Sequence, residues 1–211
     1  MLTIIDYNAG NLTSVRLAFE ALGAEAKVVS DAAGVAAADR LVFPGVGAAA
    51  AAMDNLRRAG LDTAIRAAIA AGVPFLGICL GTQILFERSD EDGGTETLGI
   101  LPGTVRRLAP TGPRAKIPHM GWNQAIIRKK HPVLDSIRDG SDFYFVHSYY
   151  VAPANGADIL CETEYAGQTF TSAVARGNVV ATQFHAEKSG RTGLRLLENF
   201  LRWDGKEPEQ C

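Results

Sequence analysis

Three residues in this chain have the types and the setting for nucleophilic catalysis: Cys79, His185 and Glu187. Cys79 stands in "GICLGTQ" at 77 to 83, with Gly77 and Gly81 two residues to either side. That spacing predicts a nucleophile elbow, a sharp strand-to-helix turn on which small flanking residues relieve backbone crowding and leave the central side chain exposed. An elbow also offers the N–H of the next residue, Leu80, to a developing oxyanion, and the start of a helix favours thiolate over thiol. A buried cysteine packing as a small hydrophobe needs no such setting, and Cys161 and Cys211 are read that way.

A sulfur nucleophile needs a base, and the base needs a group to fix its tautomer. "QFHAEKSG" at 183 to 190 supplies both. His185 and Glu187 lie two apart, so on extended backbone they project to one side, and they follow the apolar run "VVATQF", which delivers them to the end of a sheet. "PGVGA" at 44 to 48 places two glycines after a strand, where backbone N–H groups can approach a ligand and provide a second oxyanion donor. Alone, that segment reads first as an ordinary strand-to-helix turn.

The elements that must position these residues are legible in the hydrophobic pattern. "LTIID" at 2 to 6, "AKVVS" at 26 to 30, "DRLVFPGVG" at 39 to 47 and "VPFLGI" at 73 to 78 read as buried strands. Between them, Leu12, Val15, Phe19 and Leu22 mark one helix, with Asn11 as its N-cap and Gly23 at its end, and alanine-rich helices follow near 48 to 58 and 61 to 71. "TQILFER" continues the elbow as a helix. This alternation predicts a parallel sheet with helices on both faces, and open sheets of that kind bind ligands at the carboxyl ends of their strands. From about residue 95 strand-like runs broken by "AG" and "RGN" turns predict added antiparallel strands, and Leu194, Leu197 and Leu201 predict a closing helix near 190 to 203. The fold class is α/β: an open, mostly parallel sheet flanked by helices, with antiparallel strands in the C-terminal half, as one domain over 1–211.

Composition narrows the function classes. A formal charge of −2 over 211 residues gives no global basic surface for nucleic acid or anionic lipid, leaving only local patches such as "RKKH" at 128 to 131. Residues 67 to 86 carry no charge over a length that could span a bilayer, but Gly72, Pro74, Gly77, Gly81 and Gln83 divide the run into helix end, turn, strand and turn. The N-terminus lacks the basic region of a secretory signal, and three scattered cysteines suggest no disulfide framework, so a reduced, cytoplasmic setting is expected. His119, His131, His147 and His185 show no metal-ligand spacing, and neither metal nor cofactor is expected. Trp122 and the aromatics Phe143, Tyr144, Tyr149 and Tyr150 read from the residues alone as core or sheet packing, and Lys188 as a solvated lysine.

"PGVG", "GICLGTQ" and "QFHAEKSG", in this order and at these separations, resemble the class I glutamine amidotransferase family. The resemblance implies a flavodoxin-like amidotransferase fold, Cys79 as the nucleophile on the glutamine side-chain amide, His185 as base and then acid, and Glu187 as its orienter. It implies an oxyanion hole from Leu80 with Gly45, Val46 and Gly47, and a substrate contact from Gln83. "DYNAGNLTSV" at 6 to 15, "KIPHMGWN" at 116 to 123, "FYFVHSYY" at 143 to 150 and "EKSG" further resemble the family branch that serves as glutaminase subunits of imidazole glycerol phosphate synthases. That likeness implies that Glu91, Ser148 and Tyr149 help hold L-glutamine. It places Asn11, Trp122, Tyr144 and Lys188 at or near the face for a cyclase partner built as a (β/α)8 barrel, which receives ammonia in histidine biosynthesis. It also implies that the isolated glutaminase is slow and that its "PGVG" backbone is reoriented when the partner binds its own ligand. Alternatives are a glutaminase for another synthase, such as that of the anthranilate or vitamin B6 pathway, or a non-catalytic flavodoxin-like module. Two positions depart from the pattern: Asn8 where the family often has glycine, a mild change because asparagine tolerates positive φ, and Ala186 where it often has proline, which frees the backbone between His185 and Glu187.

Overall fold

The computed structural model describes residues 1–8, 12–111 and 115–207. The elements in chain order are β1 (Leu2–Ile5), α1 (Leu12–Ala21), β2 (Ala26–Val29), α2 (Ala32–Ala36), β3 (Arg40–Gly45), α3 (Ala49–Arg58), α4 (Leu61–Ala70), β4 (Phe75–Cys79) and α5 (Leu80–Gln83). They continue with β5 (Arg88–Ser89), β6 (Thr95–Glu96), β7 (Gly103–Arg107), β8 (His119–Ile127), β9 (Ser141–His147), β10 (Tyr149–Pro153), β11 (Ile159–Tyr165), β12 (Gln168–Arg176), β13 (Val179–Thr182) and α6 (Gly190–Arg202). The expected alternation therefore holds through β4, with α2 as an added short helix capped by the Asp31 side chain on Gly34 N–H.

The sheet is mixed. Its order is β2-β1-β3-β4-β13-β12-β10-β7-β5-β6, with β11, β8 and β9 branching from β12. The five strands from β2 to β13 run parallel, and antiparallel pairing begins at β12. Neighbouring residues along the parallel strands point to opposite faces, as the period of two requires. Ile4, Val42 and Leu76 pack with Val15 and Phe19 of α1 and Leu197 and Phe200 of α6. Ile5, Phe43 and Phe75 pack on the other face with Met53 of α3 and Ile65 of α4. Helices thus cover both faces, and the charge-free stretch at 67 to 86 is divided among α4, β4 and α5. Among the described residues no helix is long and apolar enough to cross a membrane.

The predicted helix over "TQILFER" stops early: α5 ends at Gln83. The segment 98–101 captures the carbonyls that further helical turns would use, since Leu98 N–H donates to Ile84 O at 2.8 Å, Ile100 N–H to Leu85 O at 2.8 Å and Gly99 N–H to Phe86 O at 2.6 Å. The N-cap expected of Asn11 lies outside the described residues. Gly23 takes the left-handed conformation expected at the end of α1, and Asn8 also has positive φ, 63°.

Candidate active site

Three adjacent parallel strands, β3, β4 and β13, end together. Gly45 is paired with Cys79 across β3 and β4, and Thr182 with Ile78 across β13 and β4. Cys79 closes β4 with φ 55° and ψ −105°, a strained conformation for a residue with a Cβ. The flanking glycines are required by contact. A Cβ on Gly77 would stand 2.5 Å from Gly81 O, and one on Gly81 would stand 2.0 Å from Phe43 O. Leu80 opens α5, so its N–H has no acceptor within the helix. With four residues, α5 carries little of the macrodipole that a longer helix would direct at the thiol, which corrects the expectation from sequence.

His185 follows β13 by three residues. Its Nδ1 lies 2.7 Å from Glu187 Oε1, with both side chains 2% exposed. The carboxylate accepts, so Nδ1 carries the hydrogen. Nε2 is buried without an aligned hydrogen-bond partner. Burial alone would lower the pKa of His185, but the nearby Cys79 sulfur and Glu187 carboxylate outweigh it and hold the ring well above the usual histidine range. The two residues meet through a 3₁₀ turn over Ala186–Lys188 and not along extended backbone, another departure from expectation. Ser189 clamps that turn: its hydroxyl donates to His185 O at 2.6 Å and accepts from Tyr144 N–H at 2.9 Å. Ala186 is fully buried, so packing constrains the freedom that a missing proline would give.

Cys79 and His185 line one cavity of about 300 Å³, within the range of small-molecule sites. Leu80, Gln83, Glu91, Ser148 and Tyr149 line it too, as do Val46 and Gly47. Gly45 sits beneath, in β3, where a Cβ would meet Leu80 Cβ at 2.7 Å. Gln83 donates through Nε2 to Tyr149 O at 3.0 Å and to Gln183 Oε1 at 3.2 Å. Glu91 accepts the Ala49 N–H at the start of α3, 2.8 Å away, and burial raises its pKa.

Residues 3–203 match the family described as glutamine amidotransferase class-I. The chain belongs to that family. It is 52% identical over 208 residues to the imidazole glycerol phosphate synthase subunit HisH of Aromatoleum aromaticum, covering 95% of this chain and 97% of that protein. It is 51% identical over 210 residues to the HisH subunit of Dechloromonas aromatica, covering 96% of each. Among solved structures it is similar to a glutamine amidotransferase with a TM-score of 0.75 at 19% identity, covering 97% of this chain and all of that one. The structure of PurLQS from Thermotoga maritima gives 0.70 at 18% identity, covering 95% of this chain and 97% of that one. At those identities the structures speak for the fold.

The structure of this amidotransferase adds site residues that sequence reasoning left unassigned. Gln183 is fully buried, and its Nε2 points at Cys79 Sγ, 3.6 Å away. The available signal was its place two residues before His185. His147 lines the cavity and belongs to a relay whose protons are fixed by its ends. Tyr149 O can only accept, so His147 Nδ1, 2.8 Å away, donates to it. His147 Nε2 then accepts from His119 Nδ1 at 3.0 Å, and His119 Nε2 from the Asn123 side-chain amide at 3.3 Å. Both rings are neutral, and burial depresses them to about 3 for His147 and about 4 for His119.

Of the residues expected at a partner face, Trp122 is 58% exposed and meets Tyr144 edge-on at 6.0 Å. Lys188 is exposed and Tyr144 half-buried. Met120 and Ile117 are exposed apolar side chains on the same stretch, which continues into the cavity-lining Pro118. Trp122 is therefore not core, whereas Phe143 is. Asn11 lies outside the described residues. Cys161 is buried in the core, with its thiol pushed up to about 12 by burial. Among the described residues no group of three or more His, Cys, Asp or Glu is placed to hold a metal.

Proposed function

We propose that this chain is the glutaminase subunit of an imidazole glycerol phosphate synthase, hydrolysing L-glutamine to glutamate and ammonia and passing the ammonia to a (β/α)8-barrel cyclase. The observation that carries the reading is the buried His185–Glu187 pair, 2.7 Å apart, beside Cys79 on its strained elbow at one cavity. Cys79 Sγ attacks the side-chain carbonyl carbon of glutamine as His185 Nε2 takes the thiol proton. The tetrahedral oxyanion is held by the Leu80 N–H and a second donor from the 45–47 loop. Collapse breaks the C–N bond, and His185 returns the proton to the departing nitrogen, releasing ammonia and a thioester. Water, deprotonated by the same ring, then adds to the thioester carbonyl, and glutamate leaves as the thiol is restored. Gln83, Glu91, Ser148 and Tyr149 hold the substrate in this reading.

Ammonia released to bulk water becomes ammonium, which is no nucleophile, so the acceptor must dock over the site. The exposed Trp122, with Tyr144 and Lys188, forms the proposed docking face, and the HisH names of relatives at about half identity support the choice of cyclase over other acceptors. The scattered thiols fit a reducing compartment, which we take to be the cytoplasm, and the whole chain acts as one catalytic domain.

The test is product formation with a cyclase partner, driven by glutamine or by added ammonia. Cys79→Ala is expected to lower the glutamine-driven rate by more than about 10³-fold and to leave the ammonia-driven rate intact. Retained glutamine turnover in Cys79→Ala sinks the reading.

A further inference from the structure

Tyr7 lies just beyond β1, and its hydroxyl makes two hydrogen bonds to one residue. It accepts from the Val46 N–H at 3.1 Å and donates its single proton to the Val46 carbonyl at 3.1 Å. The ring itself is held firmly, 1% exposed and stacked on Phe43 at 4.8 Å with 16° between planes. Among the described residues Val46 makes no other hydrogen bond. Its side chain is 37% exposed, and Gly47 beyond it has φ 98° with open space where a Cβ would stand. On the other side, Gly45 lets the hydroxyl approach, since a Cβ there would meet it at 3.2 Å. Among the described residues the hydrogen bonds of Val46 go to the phenol, so the phenol, together with the packing of Gly45 against Leu80 and Gly81, sets the orientation of the Gly45–Val46 peptide.

That peptide stands at the cavity of Cys79, where an oxyanion needs a second donor beside Leu80 N–H. Its N–H is aimed at Tyr7 instead, and a donor satisfied by one acceptor is not free for another. We infer that Tyr7 is a positioning residue whose hydroxyl holds the Val46 N–H away from the oxyanion, so that this bond must break before the site is fully active. The inference rests on the glutaminase reading above and adds the group that sets the resting state of the loop.

Tyr7→Phe keeps the ring and its stacking and removes only the hydroxyl. Each hydrogen bond of this kind biases an equilibrium by roughly five-fold. Basal glutamine hydrolysis by the free Tyr7→Phe chain is therefore expected to rise in kcat by about five- to thirty-fold, with KM for glutamine unchanged. Tyr7→Leu, which also lacks the hydroxyl, is expected to change in the same direction. Stoichiometric alkylation of Cys79 by iodoacetamide counts the intact sites, so that a loss of folded protein is not read as a loss of rate. A basal kcat that is unchanged or lower per intact site in both variants overturns the inference. That failure differs from failure of the glutaminase reading, in which the wild-type chain would not turn over glutamine even with a cyclase present.

Discussion

At the scale of single residues, the proposed mechanism needs one nitrogen of His185 uncommitted. Glu187 binds Nδ1 and fixes the tautomer, while Nε2 has no aligned partner and stays available to sulfur or leaving amine. In the proposed mechanism the charge on Glu187 also supports the imidazolium that forms when the thiol gives up its proton. Glu187→Gln keeps the size and can still accept from Nδ1, so it isolates the charge. Its expected effect is a fall in kcat of roughly 10²-fold or more with KM little changed, measured as glutamate release in the cyclase complex. An unchanged kcat would show that orientation alone suffices. The residues of this pair were legible in the sequence because a cysteine between spaced glycines and a histidine near a carboxylate have few other reasons to occur together. Gln183, His147 and Tyr7 were not, because each acts through a contact between segments far apart in the chain, and glutamine, histidine and tyrosine are ordinary residues in buried strands.

At the scale of elements, the elbow depends on three backbones touching. Gly81 lies against the carbonyl of Phe43 in β3, and Gly77 against the carbonyl of Gly81 itself, so neither obstacle is a flexible side chain that could move aside. Gly81→Ala, with its Cβ 2.0 Å from that oxygen, is expected to destabilise the chain by about 3 kcal/mol or more, seen as a lower urea midpoint. A midpoint within error of wild type would mean that α5 and β3 can separate without cost. The parallel strands β1, β3, β4 and β13 were readable because each is a short, almost wholly buried apolar run, whereas β2, expected as a buried strand, lies at the sheet edge and is mostly exposed. β8 was not readable, because its alternation is inverted: the apolar Met120 and Trp122 face outward, while His119, Gly121 and Asn123 take the more covered side. The end of α5 was equally hidden, since "TQILFER" has good helical composition and is stopped only by hydrogen bonds from residues 98–101.

At the scale of the whole molecule, the chain buries three histidines as neutral rings. Desolvation depresses His119 and His131 to about 4 and His147 to about 3. In the His119–His147 relay the effect has a second source. Every nitrogen already has its donor or acceptor role fixed, so an added proton would set two donors against each other. The sign of the resulting pH dependence follows from which state binds more protons. In the unfolded chain a histidine titrates near 6.5, so below that pH the unfolded state takes up three protons that the folded state refuses, and stability falls as pH falls toward the folded values. Glu91, with its carboxyl raised, opposes it by at most one proton at the acidic end. Each refused proton approaches about 1.4 kcal/mol per pH unit, so the unfolding free energy is expected to be about 3 kcal/mol lower at pH 5.5 than at pH 7. Urea denaturation at the two pH values measures it. Equal free energies would mean that the rings are protonated in the folded chain and that the relay is not ordered as its hydrogen bonds dictate.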